Sequence, residues 1–175
     1  MGVTLEMAKG AAAGAVGVWV MDRLDWFMVE HGDQQAWERT QAVRPNRKDP
    51  AHNMAGMAAE AVGLEPPPQP HPAGVAVHYA VGMGPAAVYG AARKQLPGGV
   101  MSRGLLFGLG MFLVEDELLN TVMGTAADPR YPVQAHARGL ITHLVLGVVT
   151  EAVLSAFALS ATPTRLPMQV FTPCG

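Results

Sequence analysis

Apolar residues in this chain come in dense blocks separated by polar stretches. Four blocks, over about 4–28, 73–92, 101–123 and 138–161, each approach the ~20 residues that a helix needs to cross a bilayer. A water-soluble bundle would place charged residues every third or fourth position on its outer faces. Residues 139–150, "GLITHLVLGVVT", have no ionisable group except His143. The pattern predicts an all-α chain: a four-transmembrane-helix bundle forming a single integral membrane domain over 1–175, with a polar loop over 29–72 and a tail over 162–175. Within the loop, "PAHNMAGMAAEAVGL" sets Met54, Met57, Ala58, Ala61 and Val62 at amphipathic spacing, which predicts a short helix lying at the interface or over the bundle mouth. "EPPPQPHP" reads as a stiff extended spacer leading into the second long helix.

Composition sharpens the picture. Half of the chain is apolar, 15% is charged and the formal net charge is -2, so no basic face invites nucleic acid. Mean hydropathy is only +0.20 because the loop offsets the apolar blocks. The one cysteine, Cys174, excludes an internal disulfide and a cysteine-based metal site. Within the first block the apolar core "GAAAGAVGVWVM" has the length of a signal-peptide core, but it is followed by "DRLDW" and not by a small-residue cleavage site, so the block reads as an uncleaved helix. Short loops set orientation. The second turn carries Arg93, Lys94 and Arg103 without an acid, which predicts both termini on the cytoplasmic side of a bacterial inner membrane and the long loop outside. Trp26, Tyr79 and Tyr131 fall at the expected outer boundary.

The chemistry begins at "LVEDELL", residues 113–119, where Glu115, Asp116 and Glu117 interrupt an apolar block. Counted inward at about 1.5 Å per residue, Asp22, Asp25, His78, Asp116 and His143 share one outer layer, while Glu151 lies nearer the inner side. Small residues mark close helix packing in membranes. Gly10 and Gly14 do so on the first helix, Gly82 on the second, Gly104 and Gly108 on the third, and Gly139 and Gly147 on the fourth. The ionisable groups follow these faces. At about 100° per residue, Glu115 returns to the Gly104 and Gly108 face, Asp116 sits to one side and Glu117 points away. The expected result is a buried polar cluster of Asp22, Asp25, His78, Glu115, Asp116 and His143. Ionised groups at mid-depth cost about 2.5–3.5 kcal/mol each, so these acids must be protonated, share protons with imidazoles or bind a cation. A purely structural role, fixing helix register, is the plain alternative.

A metal, if one binds, would use His78, Asp116 and His143. The same two histidines could in principle clamp a haem, but the acidic surround and the lack of an arginine pair for propionates disfavour it. Glu-x-x-His pairs for a di-iron site are missing. No cofactor is therefore expected, with haem or a divalent cation as the remote options. "GMGPAAVYG" and "GGVMSRG" follow no strand and are not phosphate loops. No catalytic constellation stands out, and His31, His52 and His71 read as solvated loop residues.

From residue 78 onward, "HYAVGMGPAAVYG", "RGLLFGLG", "VMGTAADP" and "GLITHLVLGVVTEAV" resemble the YagU-like family of small multi-pass bacterial inner-membrane proteins of unknown function. The resemblance covers a little over half the chain. It implies location and architecture, including the positions of His78 and His143, and no activity. This chain departs from the family near Asp116, where a histidine is usual. The reading is thus a small membrane protein whose acid and histidine cluster handles protons or cations. The alternative is a non-catalytic accessory subunit packed against a larger membrane complex. The expected partners are the lipid bilayer and either a homo-oligomer or that larger complex.

Overall fold

The dense blocks fold as helices, and the polar loop contributes more helix than its pattern suggests. The computed structural model describes residues 2–126 and 129–160. Helix α1 (Val3–His31) is followed by α2 (Gln34–Val43) and α3 (Pro50–Ala61). Next come α4 (Pro72–Ala92), α5 (Val100–Met111), a π-helical stretch (Phe112–Leu119), a closing turn α6 (Asn120–Val122) and α7 (Val133–Ser160). Helix α1 packs against α4 and α7, and α5 packs against α7.

Glycine governs these contacts. A Cβ on Gly10 would strike the Ala86 carbonyl, one on Gly82 would strike Val18, and one on Gly108 would strike the His143 carbonyl. Gly104 and Gly147 face each other across α5 and α7, so that neither admits a side chain. Gly14 lies against Ala86, and Gly139 against the Asp116 carboxylate. The helix axes close up until backbones touch, and dispersion between them replaces large side chains. What remains of the core is compact. Ala13, Tyr89 and Leu154 form one cluster; Val18, Met111 and Leu146 form another. Phe107 belongs to both, stacked on Tyr89 with ring centroids 4.3 Å apart.

The four-transmembrane-helix expectation is corrected here. Among the described residues one helix, α7, is long and apolar enough to cross a membrane. Transfer free energy follows buried apolar area, and the glycines and alanines that let α1 and α4 approach bring little of it. Helix α1 also carries Glu6, Lys9, Asp22, Arg23 and Asp25, and α4 carries His78 and Pro85. The third block is not one α-helix at all: α5 stops after 12 residues, and the acids sit in the π stretch.

The polar loop forms a cap over one end of the bundle. Asp33 caps α2, its Oδ1 accepting from the Ala36 N–H at 3.0 Å, and Asp49 caps α3 through the His52 N–H at 2.8 Å. Asn53 is the clasp. Its Nδ2 donates to the carbonyls of Pro45 (3.1 Å), Lys48 (3.2 Å) and Thr125 (3.1 Å). Asn46, at φ 52°, donates from Nδ2 to Asn53 Oδ1 at 3.1 Å. Asparagine tolerates this left-handed backbone better than most residues. Of the histidines expected in solvent, His31 is exposed, while His52 and His71 need correction. His52 is buried, bonded to Asp49 through Nδ1 at 2.9 Å and accepting the His71 N–H at Nε2 at 3.0 Å. His71 Nδ1 caps α4 by accepting from the Ala73 N–H.

Candidate functional site

Between the cap and the bundle end lies a cavity of about 490 Å³. Its lining includes Asp22 and Asp25 from α1, His78 from α4, Glu115 and Asp116 from the π stretch, and His143 from α7. The structure therefore brings all six residues of the expected cluster to one space. It adds residues that the pattern did not supply: Trp37 and Arg44 around α2, Asp49 and His52 at the start of α3, Glu117, His136 and Arg138.

The π stretch explains one of these. Its hydrogen bonds close wider turns than those of an α-helix, so consecutive side chains fan over a narrower arc. Glu117, which α-helical geometry would aim away, reaches the same cavity as its neighbours and meets His136 Nδ1 at 2.7 Å through Oε1. The expectation that Glu117 faces outward is overturned by that geometry.

Most of the acids are paired. Asp22 Oδ1 meets His78 Nε2 at 2.8 Å, and Asp25 Oδ1 meets Arg138 Nε at 3.0 Å. Gln69 Nε2 donates to Asp49 Oδ2 at 2.8 Å, beside His52. Arg138 and Arg44 both lie over the Trp37 ring, 4.7 and 5.1 Å from its centroid. Glu115 differs: its Oε2 is shut off from solvent and has no hydrogen-bond donor. His143 does not bond to a carboxylate as a shared-proton cluster would require. Its Nδ1 donates to the Gly139 carbonyl at 2.8 Å, which in the neutral ring leaves Nε2 as an acceptor.

The electrostatic balance is lopsided. Six carboxyl groups line the cavity with two guanidinium groups and four imidazoles. Among the described residues no three histidine, cysteine, aspartate or glutamate side chains are grouped so as to hold a metal ion. His78, Asp116 and His143 share the cavity without forming such a group.

A second polar centre lies toward the other end of α7. Glu151 is fully buried and accepts from Arg93 Nη1 (2.7 Å), Tyr89 Oη (2.8 Å), Arg103 Nε (3.2 Å) and Ser155 Oγ (3.3 Å). Arg93 also donates to the Leu154 carbonyl at 3.1 Å. Arg93 and Arg103 read in sequence as loop charges marking the inner side. The pairing had one visible signal: Tyr89 with Arg93, and Glu151 with Ser155, are each four apart and so share a helix face.

No family model, curated protein or solved structure matches the chain.

Proposed function

We propose that the protein is a membrane-embedded helical bundle whose acid- and histidine-lined cavity takes up protons or a cation. One observation carries the reading. Carboxylates in the cavity outnumber fixed cations by four, and four imidazoles stand among them. A partly enclosed, acid-rich space of this kind favours gaining protons or binding positive charge, because neighbouring like charges disfavour the ionised carboxylate. The cap and the Asn53 clasp hold the acids in place while this happens.

The membrane part of the proposal rests on the outer surface. Trp19, Phe27, Val88, Leu106, Leu109, Leu113 and Ile141, large apolar side chains from α1, α4, α5, the π stretch and α7, are all exposed. α7 is apolar enough to cross a bilayer, and α1 and α5 lie along it. The short connection between α4 and α5 and the start of α5 carry Arg93, Lys94 and Arg103 without an acid, which fits a cytoplasmic placement of that end because short loops carry the orientation signal.

Infrared difference spectroscopy on purified protein tests the cavity. On stepping from about pH 8 to about pH 5, the window in which imidazoles ordinarily titrate, carboxyl and imidazole bands should report proton uptake that Glu115→Gln and Asp116→Asn diminish. Spectra identical for parent and variants, together with no cation binding, would make the cluster purely structural.

A further inference from the structure

We infer that the cavity is a site for a protonated organic amine rather than for a bare ion; this rests on the acid-rich cavity proposed above and narrows its ligand. Size is the first argument. A volume of about 490 Å³ falls within the roughly 300–1,000 Å³ typical of small-molecule sites. A bare cation, coordinated at about 2.0–2.6 Å, would leave most of that space unfilled, and the described residues offer no three-ligand group for a metal.

The lining supplies the second argument. Met21, Val75 and Val81 give the cavity an apolar wall, and Trp37 and Tyr79 give it aromatic surface. A hydrated inorganic ion gains nothing from these surfaces, whereas the carbon body of an amine does.

The third argument selects the head group. Asp22, Asp25, Asp49 and Glu117 each have an imidazole or guanidinium partner. Glu115 lines the cavity, and its Oε2, packed away from the open space, has no donor where it lies; turned into the cavity, its carboxylate would meet one. An acceptor left unmade in a buried place is filled best by a charged N–H. A primary ammonium brings both the charge and the proton; a quaternary ammonium brings only the charge. The ligand is therefore a protonated amine that keeps at least one N–H, its nitrogen on the Glu115 carboxylate and its body against the apolar and aromatic walls.

The probes are benzylammonium, benzyltrimethylammonium and magnesium ion, titrated calorimetrically into the purified full-length protein in detergent. Benzylammonium should bind, with the trimethyl analogue at least about tenfold weaker, since a charge-assisted hydrogen bond supports roughly a tenfold to hundredfold difference. Glu115→Gln should weaken the amine by a similar factor, while Gly110→Ala, at a glycine with no neighbour within 4 Å, should leave it unchanged. No benzylammonium binding, equal binding of the two amines, binding of magnesium alone, or an amine affinity indifferent to Glu115→Gln each overturns the inference. The comparison of the two amines on the parent protein stands even where the Glu115 variant fails to fold. Proton uptake that persists without amine binding removes the amine and leaves the proton reading in place; loss of both removes the reading beneath it.

Discussion

Glu151 shows how much one side chain can organise. It is buried and accepts hydrogen bonds from two guanidinium groups, a phenol and a hydroxyl at once. Replacing it with glutamine leaves Arg93 buried without its counter-charge, and Arg93 Nε already has no partner. Removing one member of a buried ion pair costs about 3–5 kcal/mol. Glu151→Gln should therefore lower thermal stability in detergent severely, whereas Tyr89→Phe should cost only about 1 kcal/mol, the worth of one hydrogen bond. Equal losses from the two would show that charge is not what the network supplies. Residue identity at the cavity was partly legible: charged groups inside apolar blocks stand out, and depth counting grouped them. The arginines escaped because they lie at block edges, where a loop reading and a buried ion pair look the same. His52 escaped for a related reason, since its burial depends on the fold-back of residues nineteen positions away.

At the scale of elements, close helix contact depends on missing side chains. Gly108 lies against the backbone of His143 and Leu144, where an added Cβ would overlap. Gly108→Val should push α5 from α7 and destabilise the protein by about 3 kcal/mol or more. Gly110, two residues on, has open space around it, so Gly110→Ala should be neutral or stabilising by up to about 1 kcal/mol. Thermal melts of the pair, side by side, check this. The π stretch makes its own prediction. Because Glu117 shares the cavity and pairs with His136, Glu117→Gln should lose about 1–3 kcal/mol of stability, as much as a change at a group expected to face inward. The glycine faces were readable because spacing of four is a helix signature. The π turn was not, since nothing in "FLVEDELL" distinguishes wide turns from ordinary ones. Helix α2 was hidden by its polarity: in "QQAWERTQAV" only Ala36 and Thr40 become buried, too few to print a stripe.

For the whole molecule, apolar residue count and hydropathy gave different answers. Blocks of about twenty apolar residues suggested four crossings, yet glycine and alanine count as apolar while burying little area, and among the described residues one helix alone qualifies. The exposed leucines and aromatics nonetheless predict behaviour. The full chain should sediment with membranes and resist extraction by carbonate at high pH. Recovery in the soluble fraction as a monodisperse species would refute the membrane placement. Purification in gentle detergent discriminates further, since a stoichiometric larger assembly would favour an accessory subunit over a self-contained site.

The Arg93–Glu151–Arg103 triad also imposes an order of events. A ribosome delivers both arginines about fifty residues before their only shared acid. Until α7 arrives, the hairpin of α4 and α5 carries two cations without the Glu151 carboxylate that pairs with both in the fold, and burial at that stage is unfavourable. Nascent chain must therefore wait, with its basic turn held at the water boundary, and the last helix closes the fold as a keystone does an arch. A chain ending before Val133 is left in that waiting state, a natural target for quality-control proteases.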